Sequence, residues 1–287
     1  GSFSVNTEKQ IYHCFGCGAG GSVYNFIMQI ENLTFPESVE FLANLAGVTL
    51  PQQDTSYYDN RKRLQELNRD AARFFHSTLL SPAGKVGYDY LIRRGLRPGI
   101  IKRYGLGFAP DSWDSLMNAM TEKGYTKSEM RELGLIKPNS HGGFYDQFRN
   151  RVMFPIIDIR GNVVAFGGRV MDDSKPKYLN SPETKLFSKS HNLFSLNFAK
   201  QNKTRRLILA EGYMDVISLN QAGFTEAVAS LGTSLTQEQA KLIKRFADEV
   251  VISYDADGAG QTAAARAADI LKPADLKVRI LKIPGAK

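Results

Sequence analysis

The stretch Leu207-Ile-Leu-Ala-Glu-Gly-Tyr-Met-Asp215, answered by Val250-Val-Ile-Ser-Tyr-Asp-Ala-Asp-Gly-Ala-Gly260, decides the fold. Each half is an apolar run of strand length that ends in acids and glycine. Working outward, the same alternation continues. Apolar Leu207 to Ala210 precedes a helix near Tyr213 to Gln221, and apolar Ala227 to Ala229 a helix near Thr236 to Phe246. Apolar Val250 to Tyr254 precedes a helix near Gln261 to Leu271, and a last apolar run covers Val278 to Ile283. Repeated strand and helix in this order predicts a parallel sheet with helices on its faces, whose functional crevice lies at the carboxyl ends of the strands.

Glu211 follows directly on the first of these strands, and Asp255 and Asp257 follow on the third. Three carboxylates are therefore expected at one sheet edge. Crowded acids repel one another unless a cation compensates, and hard oxygen ligands beside phosphates suit Mg²⁺ or Mn²⁺. The chemistry this favours is phosphoryl transfer. Gly258 and Gly260 would let the backbone approach a ligand closely, although an Asp-x-Asp-Gly run on its own more often marks a turn. Asp215, one helical turn past Glu211, is read as a solvated helix residue or as a supporting metal or water ligand.

Upstream the pattern differs. Val23, Phe26, Ile27 and Ile30 keep helical spacing behind Ser22, and a second helix opens at Thr34 with Glu37 three residues on, ending at Gly47. The polar run Gln52 to Ser56 reads as a linker before a long helix with Leu64, Leu67, Ala71, Phe74 and Phe75 on one apolar face. Short helices follow to about Leu133. Val152 to Ile157 and Val163 to Phe166, joined through Arg160-Gly-Asn162, then predict a hairpin. Trp113, Phe74 and Phe75 are expected in the core.

The chain of 287 residues, 43% hydrophobic and 23% charged, has room for two domains with buried cores. Its net charge of +8 is concentrated between Arg149 and Arg206, where 12 Lys or Arg stand against 4 Asp or Glu. Such a stripe suggests a polyanion partner, nucleic acid or nucleotide phosphates, against the plainer reading of a solvated basic face. No apolar run reaches the ~18 residues of a membrane span and no signal peptide is apparent, so a cytoplasmic location is expected. The only cysteines, Cys14 and Cys17, have the two-residue gap of metal or redox chemistry.

Taken together, the Glu211-Gly-Tyr-Met-Asp215 and Asp255-Ala-Asp-Gly-Ala-Gly260 motifs resemble the toprim domain shared by bacterial primases, topoisomerases and related enzymes. Arg149-Asn-Arg-Val-Met-Phe-Pro155, Phe166-Gly-Gly-Arg169 and Lys177-Tyr-Leu-Asn-Ser-Pro-Glu-Thr184, with Phe187 and Lys189, resemble the basic half of the polymerase domain of bacterial-type replicative DNA primases. Tyr12-His-Cys-Phe-Gly-Cys-Gly-Ala-Gly-Gly21 looks like the second half of the zinc ribbon of that family. The fold expected is thus α/β and α+β: a toprim-type parallel sheet flanked by helices, behind a basic mixed α+β subdomain and a zinc-ribbon remnant. The expected division is a partial zinc-binding domain at 1–50, a linker at 51–62, the basic subdomain at 63–206 and the toprim subdomain at 207–287.

The resemblance implies DNA-templated synthesis of short RNA primers on single-stranded DNA from nucleoside triphosphates, with a replicative helicase as partner through a C-terminal domain outside these residues. It implies Mg²⁺ (or Mn²⁺) on Asp255 and Asp257 with Asp215 in support, Glu211 acting either as a further ligand or as the general base. Arg169, Lys177 and Lys189 match basic positions tied to nucleotide or nucleic-acid handling, Tyr178 and Asn150 sit where a base or ribose contact is plausible, and Arg149, Arg151 and Lys185 join the same stripe. Arg94 matches a basic position too, though it could equally snorkel from a helix end. The family's zinc takes a Cys and a His from an earlier pair, so Cys14 and Cys17 supply two of about four ligands, and His13 corresponds to a non-ligand. Further family carboxylates are expected beyond Ile283. The alternatives are a toprim recombination mediator without polymerase activity, which has no reason to carry the Lys177 to Thr184 run, and a fused phage-type primase-helicase.

Overall fold

The computed structural model describes residues 2–16, 18–31, 33, 35–50, 56–140, 142–232 and 234–281, with the side chains of 56–58 excepted. Two compact units result, Gly1–Tyr58 and Asp59–Lys287. The first holds strands β1 (Phe3–Asn6), β2 (Ile11–Cys14) and β3 (Gly20–Ser22) in one antiparallel sheet of that order. Helices α1 (Val23–Ile30) and α2 (Phe35–Ala46) follow. Tyr12 is its buried centre, with Phe3 at 5.5 Å and Phe26 at 5.2 Å between ring centroids. Helix α1 starts where Ser22 predicts, its amide donating to Asn25 Oδ1 at 3.0 Å. Gly47 follows α2 in the left-handed region, φ +65°, where glycine carries no steric cost. Thr34, read as the start of α2, and Cys17 lie outside the described residues.

Helix α3 (Ser56–Leu79) buries Leu64, Leu67, Ala71, Phe75 and Leu79, a stripe at intervals of three and four. It starts at Ser56, so residues 56–62 of the expected linker are helical. No Pro or Gly stands between Ser56 and Leu64 to stop the helix propagating backwards. Next come α4 (Lys85–Arg93), α5 (Pro98–Arg103), β4 (Gly107–Ala109), α6 (Ser115–Glu122), α7 (Lys127–Glu132), β5 (Ile136–Pro138) and β6 (Phe144–Asp146). The expected hairpin is β7 (Arg151–Ile157) with β8 (Val163–Arg169), followed by β9 (Tyr178–Asn180). Asp158 Oδ1 accepts from the amides of Arg160 and Asn162 at 2.9 Å each, closing the hairpin turn. The antiparallel sheet β4-β7-β8-β9 packs on α3, whose Phe75 ring lies 5.4 Å from Phe166.

After α8 (Leu196–Ala199) the alternation appears as read: β10 (Arg206–Ala210), α9 (Tyr213–Gln221), β11 (Ala227–Ala229), α10 (Gln237–Phe246), β12 (Glu249–Ser253), α11 (Gly258–Leu271) and β13 (Lys277–Ile280). The four strands pair in parallel, in the order β11-β10-β12-β13. Along β10 successive residues enter two different cores. Leu207 and Leu209 pack with Leu242 and Ile243 of α10 and Ala264 and Leu271 of α11, whereas Ile208 and Ala210 join α9 and the residues of the antiparallel subdomain. A strand covered on both faces must be apolar throughout. Leu193, Leu196 and Ala199 also belong to the parallel-sheet core, ahead of the boundary expected at 207. No helix among the described residues is long and apolar enough to cross a membrane.

One buried carboxylate ties the antiparallel subdomain together. Asp146, 1% exposed, accepts from the amides of Leu116 at 2.7 Å and Met117 at 3.0 Å, satisfying the first turn of α6 from a distant strand. Burial pushes its pKa up to about 6, against the pull of those amides. An acid that holds its proton more tightly when folded favours the folded state as pH falls through the folded value. Wild type should therefore gain stability over Asp146→Asn as pH drops from about 7 to about 4, by up to ~3 kcal/mol. Paired thermal melts at the two pH values check the sign; a gap that stays constant means Asp146 does not titrate in this range.

Candidate active site

The ends of β10 and β12 are neighbours in the sheet, Ala210 standing opposite Ser253. The residues that follow are Glu211 and, two further on, Asp255. Glu211 Oε1 accepts from the Asp255 amide at 2.9 Å. Asp257 caps α11, its Oδ1 accepting from the Gly260 amide at 2.7 Å. Asp215 lies in the first turn of α9 and accepts from the Gly212 amide at 3.1 Å. Burial and then the negative charges of Asp255, Asp215 and Asp257 raise the pKa of Glu211, so all four acids share one electrostatic neighbourhood. Asp215 is raised as well, by burial and by Asp255, with Arg94 among the groups opposing.

Helix α11 starts at Gly258, earlier than the expected Gln261, which changes the reading of the glycines. They form the first helical turn rather than an open loop. A Cβ on Gly260 would stand 2.2 Å from the Asp255 carbonyl and 2.8 Å from Glu211 Oε1, so this glycine lets the Glu211 carboxylate approach the helix start. Gly258 faces open space and meets no such constraint.

The donor set suits a hard divalent cation: exposed carboxylates whose repulsion such an ion relieves. Among the described residues no three His, Cys, Asp or Glu side chains converge on one point. Glu211 and Asp257 are each held by a backbone amide through one oxygen, which leaves the second oxygen to ligate. Three donors on one ion would therefore require side-chain rotation. In the first unit Cys14 is half-buried at the end of β2, in a tight turn where its carbonyl accepts from Gly18 at 2.8 Å.

Of the other expected site residues, Arg94 and Tyr178 border Asp215, and Arg169 packs against Tyr178. Arg94 ends α4, exposed, and its charge acts on both Asp215 and Tyr178. Arg169 closes β8 opposite Tyr178 of β9 and is only 8% exposed, its guanidinium 5.1 Å from the Tyr90 ring and 5.5 Å from that of Tyr178. Its Nε has no hydrogen-bond partner among the described residues. Tyr178 leans on Tyr213 of α9 at 5.9 Å, and the Tyr213 hydroxyl donates to Asn180 at 2.7 Å. Tyr90, Asn180 and Tyr213 thus seat the basic edge against the acids, and nothing in their sequence spacing announced it.

Other members of the stripe stand elsewhere. Arg151 is buried and donates to the carbonyls of Gly168 at 3.3 Å and Pro176 at 2.9 Å, which makes it a clamp on the backbone before Lys177. Lys185 pairs with Glu132 at 2.6 Å, Arg205 with Asp248 at 2.6 Å and Arg206 with Glu226 at 2.8 Å. Asn150 sits exposed at a left-handed turn, φ +47°. Lys177 is exposed and Lys189 half-buried, neither with an ion-pair partner among the described residues. Trp113 contradicts its expected place in the core: it is 65% exposed, with Arg149 4.1 Å above its ring. Its neighbours Asp111, Ser112 and Asp114 put it in a polar loop before α6, not on a helical face.

Three family models match this chain: the N-terminal domain of the DNA primase catalytic core over residues 74–200, a Toprim-like domain over 208–287 and a CHC2 zinc finger over 1–58. The DNA primase of Clostridium acetobutylicum is 50% identical over 291 residues, taking in 100% of this chain and 48% of that protein. That of Deinococcus radiodurans is 46% identical, over 100% of this chain and 50% of its own length. The chain thus spans about half the length of the curated relatives it matches. A DnaG primase catalytic domain bound to ssDNA superposes with a TM-score of 0.73 at 38% identity, covering 80% of this chain and 76% of that one. The zinc-binding and RNA polymerase domains of Aquifex aeolicus primase give 0.73 at 34%, over 99% and 69%. The Toprim-like and zinc-finger matches imply metal binding, and the primase-core match does not favour a recombination mediator or a phage-type fusion. With its acidic strand ends in a toprim sheet and its basic half in the order of these relatives, the chain belongs to the DnaG family of bacterial DNA primases.

Proposed function

We propose that this chain carries the catalytic centre of a DNA-directed RNA polymerase that makes primers on single-stranded DNA in the cytoplasm. The carrying observation is the cluster Glu211, Asp215, Asp255 and Asp257 bordered by Arg94 and Tyr178, with Arg169 packed against Tyr178. Acids alone would repel a triphosphate, and bases alone would bind it without activating it. Their juxtaposition supports a site where a nucleotide's phosphates meet both.

Asp255 and Asp257, with Asp215 in support, would hold Mg²⁺ or Mn²⁺. Such an ion supplies charge neutralisation at the α-phosphate and on departing pyrophosphate. Arg169, packed against the rings of Tyr90 and Tyr178, would orient the incoming phosphates through its terminal guanidinium nitrogens, and Arg94 would bring an exposed positive charge from the end of α4. Tyr178 and Asn150 would contact base or ribose, and Lys177 and Lys189 the template or primer backbone. Glu211 serves as a further ligand or accepts the proton of the attacking 3′-hydroxyl. Zinc would be held by Cys14 and Cys17 with ligands from outside these residues, and a replicative helicase is the partner of the full-length protein. The proposed division keeps a zinc-binding part at 1–50, a linker that ends where α3 begins at Ser56, a basic subdomain, and a toprim part whose core already takes in Leu193, Leu196 and Ala199.

The test is incorporation of labelled nucleotides into short RNA on a single-stranded template by the full-length protein, with and without Mg²⁺ or Mn²⁺. Metal- and template-dependent product supports the reading, and its absence overturns it. In the same assay, Glu211→Gln rescued by raised Mg²⁺ marks a ligand, and a defect indifferent to Mg²⁺ marks the base.

A further inference from the structure

Two hydrogen bonds join the turn that ends α4 to the last residue of α9, Gln221. Its Oε1 accepts from the Arg97 amide at 2.7 Å, and its Nε2 donates to the Gly95 carbonyl at 2.8 Å. A carboxamide carries acceptor and donor in one plane, and here it engages the main chain on both sides of Leu96. Residues 95 and 221 are far apart in sequence, so this clamp ties the basic subdomain to the toprim half.

The turn itself is closed locally. The Gly95 amide donates to the Ile92 carbonyl at 2.9 Å and the Leu96 amide to the Leu91 carbonyl at 3.1 Å, with Gly95 at φ +83°, the Schellman end of a helix. Arg94 is the C-cap residue of α4 inside this turn. Local bonds fix its shape but not its place against the toprim sheet. Leu96 and Ile217 of α9 enter one core, yet apolar burial is non-directional, and the two bonds of Gln221 supply the register. Asp215 stands six residues before Gln221 on α9, about 9 Å along the axis. One short helix thus holds an acid of the site in its first turn and the root of Arg94 at its end, and the charge of Arg94 acts on both Asp215 and Tyr178.

We propose that Gln221 is a positioning residue of the nucleotide site, holding the Arg94 turn on α9 so that the Arg94 guanidinium meets the triphosphate beside Asp215. The proposal rests on the reading of the chain as a polymerase with Arg94 on the nucleotide's phosphates. Arg94 is exposed, so no packing around its side chain aims it, and the range of its guanidinium is set by where its backbone is held. Gln221 acts through that backbone, since both of its bonds go to main chain.

In the full-length protein, Gln221→Met keeps the length of the side chain and loses both bonds. Primer synthesis at varied nucleotide concentration should show kcat/KM lowered about 10-fold, short of the ~100-fold that a 1 Å misplacement can cost. The loss should lie in KM rather than kcat, as for a group that binds phosphate alike in ground and transition state, and template affinity should not change. Arg94→Ala should lose at least as much. Adding Gln221→Met to Arg94→Ala should then lose nothing further, because the turn no longer carries a guanidinium to aim. The melting temperature of Gln221→Met should stay within a few degrees of wild type, since Gln221 is half-buried and water reaches the freed groups of Gly95 and Arg97. Normal kinetics, a fall in kcat with KM unmoved, a full further loss in the Arg94→Ala background, or a KM indifferent to Arg94→Ala overturns the positioning role and leaves the polymerase reading intact. Unfolding of Gln221→Met at the assay temperature makes Gln221 part of the scaffold and overturns it equally. Absence of synthesis by the wild type overturns both readings.

Discussion

Asp255→Ala in the full-length protein is expected to reduce primer synthesis by roughly 10³-fold, since an oriented metal ion supplies several kcal/mol of transition-state stabilisation. The fold should be untouched. Asp255 is exposed and only its backbone takes part in the local hydrogen bonding, while its charge raises the proton affinity of Glu211 and Asp215. Removing it relieves repulsion without opening a cavity, so the melting temperature should hold or rise slightly. Synthesis and melting have to be measured together: near-normal synthesis by Asp255→Ala would show the carboxylate to be dispensable, and loss of synthesis with unfolding would assign it to the scaffold.

The neighbouring acids differ from it in an instructive way. Glu211→Ala should lose comparable activity, but it also strips the Asp255 amide of its acceptor, which water can replace at this exposed position. Asp257 holds Gly260 as the cap of α11, so its removal costs about 1 kcal/mol in stability before any catalytic effect. Of the four, Asp255 gives the cleanest separation of chemistry from folding.

The toprim half was legible because periodicity and site chemistry coincide there. Each of β10, β11 and β12 is followed by a helix, and the acids stand where chain direction places them, at the carboxyl ends of β10 and β12. What the sequence hid has short-range or long-range causes. Strands β4, β5, β6 and β9 are three residues each, too short for an alternating pattern to show. The start of α11 was hidden because Asp257 and two glycines read as a turn, when the same residues serve as cap and first turn of a helix. The pairing of Arg169 with Tyr90, or of Arg149 with Trp113, depends on tertiary contacts that no local spacing records. Charge counting likewise located the stripe but could not say which of its members are already spent.

That distinction governs the second large effect, on single-stranded DNA binding. Of the 12 cations between Arg149 and Arg206, Lys185, Arg205 and Arg206 are in ion pairs and Arg151 and Arg169 are buried. Arg149 lies over Trp113. Net charge thus overstates the number of phosphates the stripe can neutralise. Lys175, Lys177 and Lys203 are exposed, and Lys189 is half-buried beside the start of α10, where Gln239 donates to its carbonyl. Each phosphate neutralised on a single strand contributes about 0.7 to the slope of log affinity against log salt. Replacing both Lys177 and Lys189 by Ala should therefore flatten the slope by ~1.4 and weaken binding roughly tenfold at low salt, with little effect at high salt. Replacing Arg205 and Arg206 removes the same formal charge but should barely change the slope, since Asp248 and Glu226 already neutralise them. Salt-titrated binding of one oligonucleotide to both double variants compares them directly. Equal slopes would mean that the ion pairs seen at Arg205 and Arg206 yield to DNA, and that the whole stripe, rather than the pair Lys177 and Lys189, acts as the electrostatic surface.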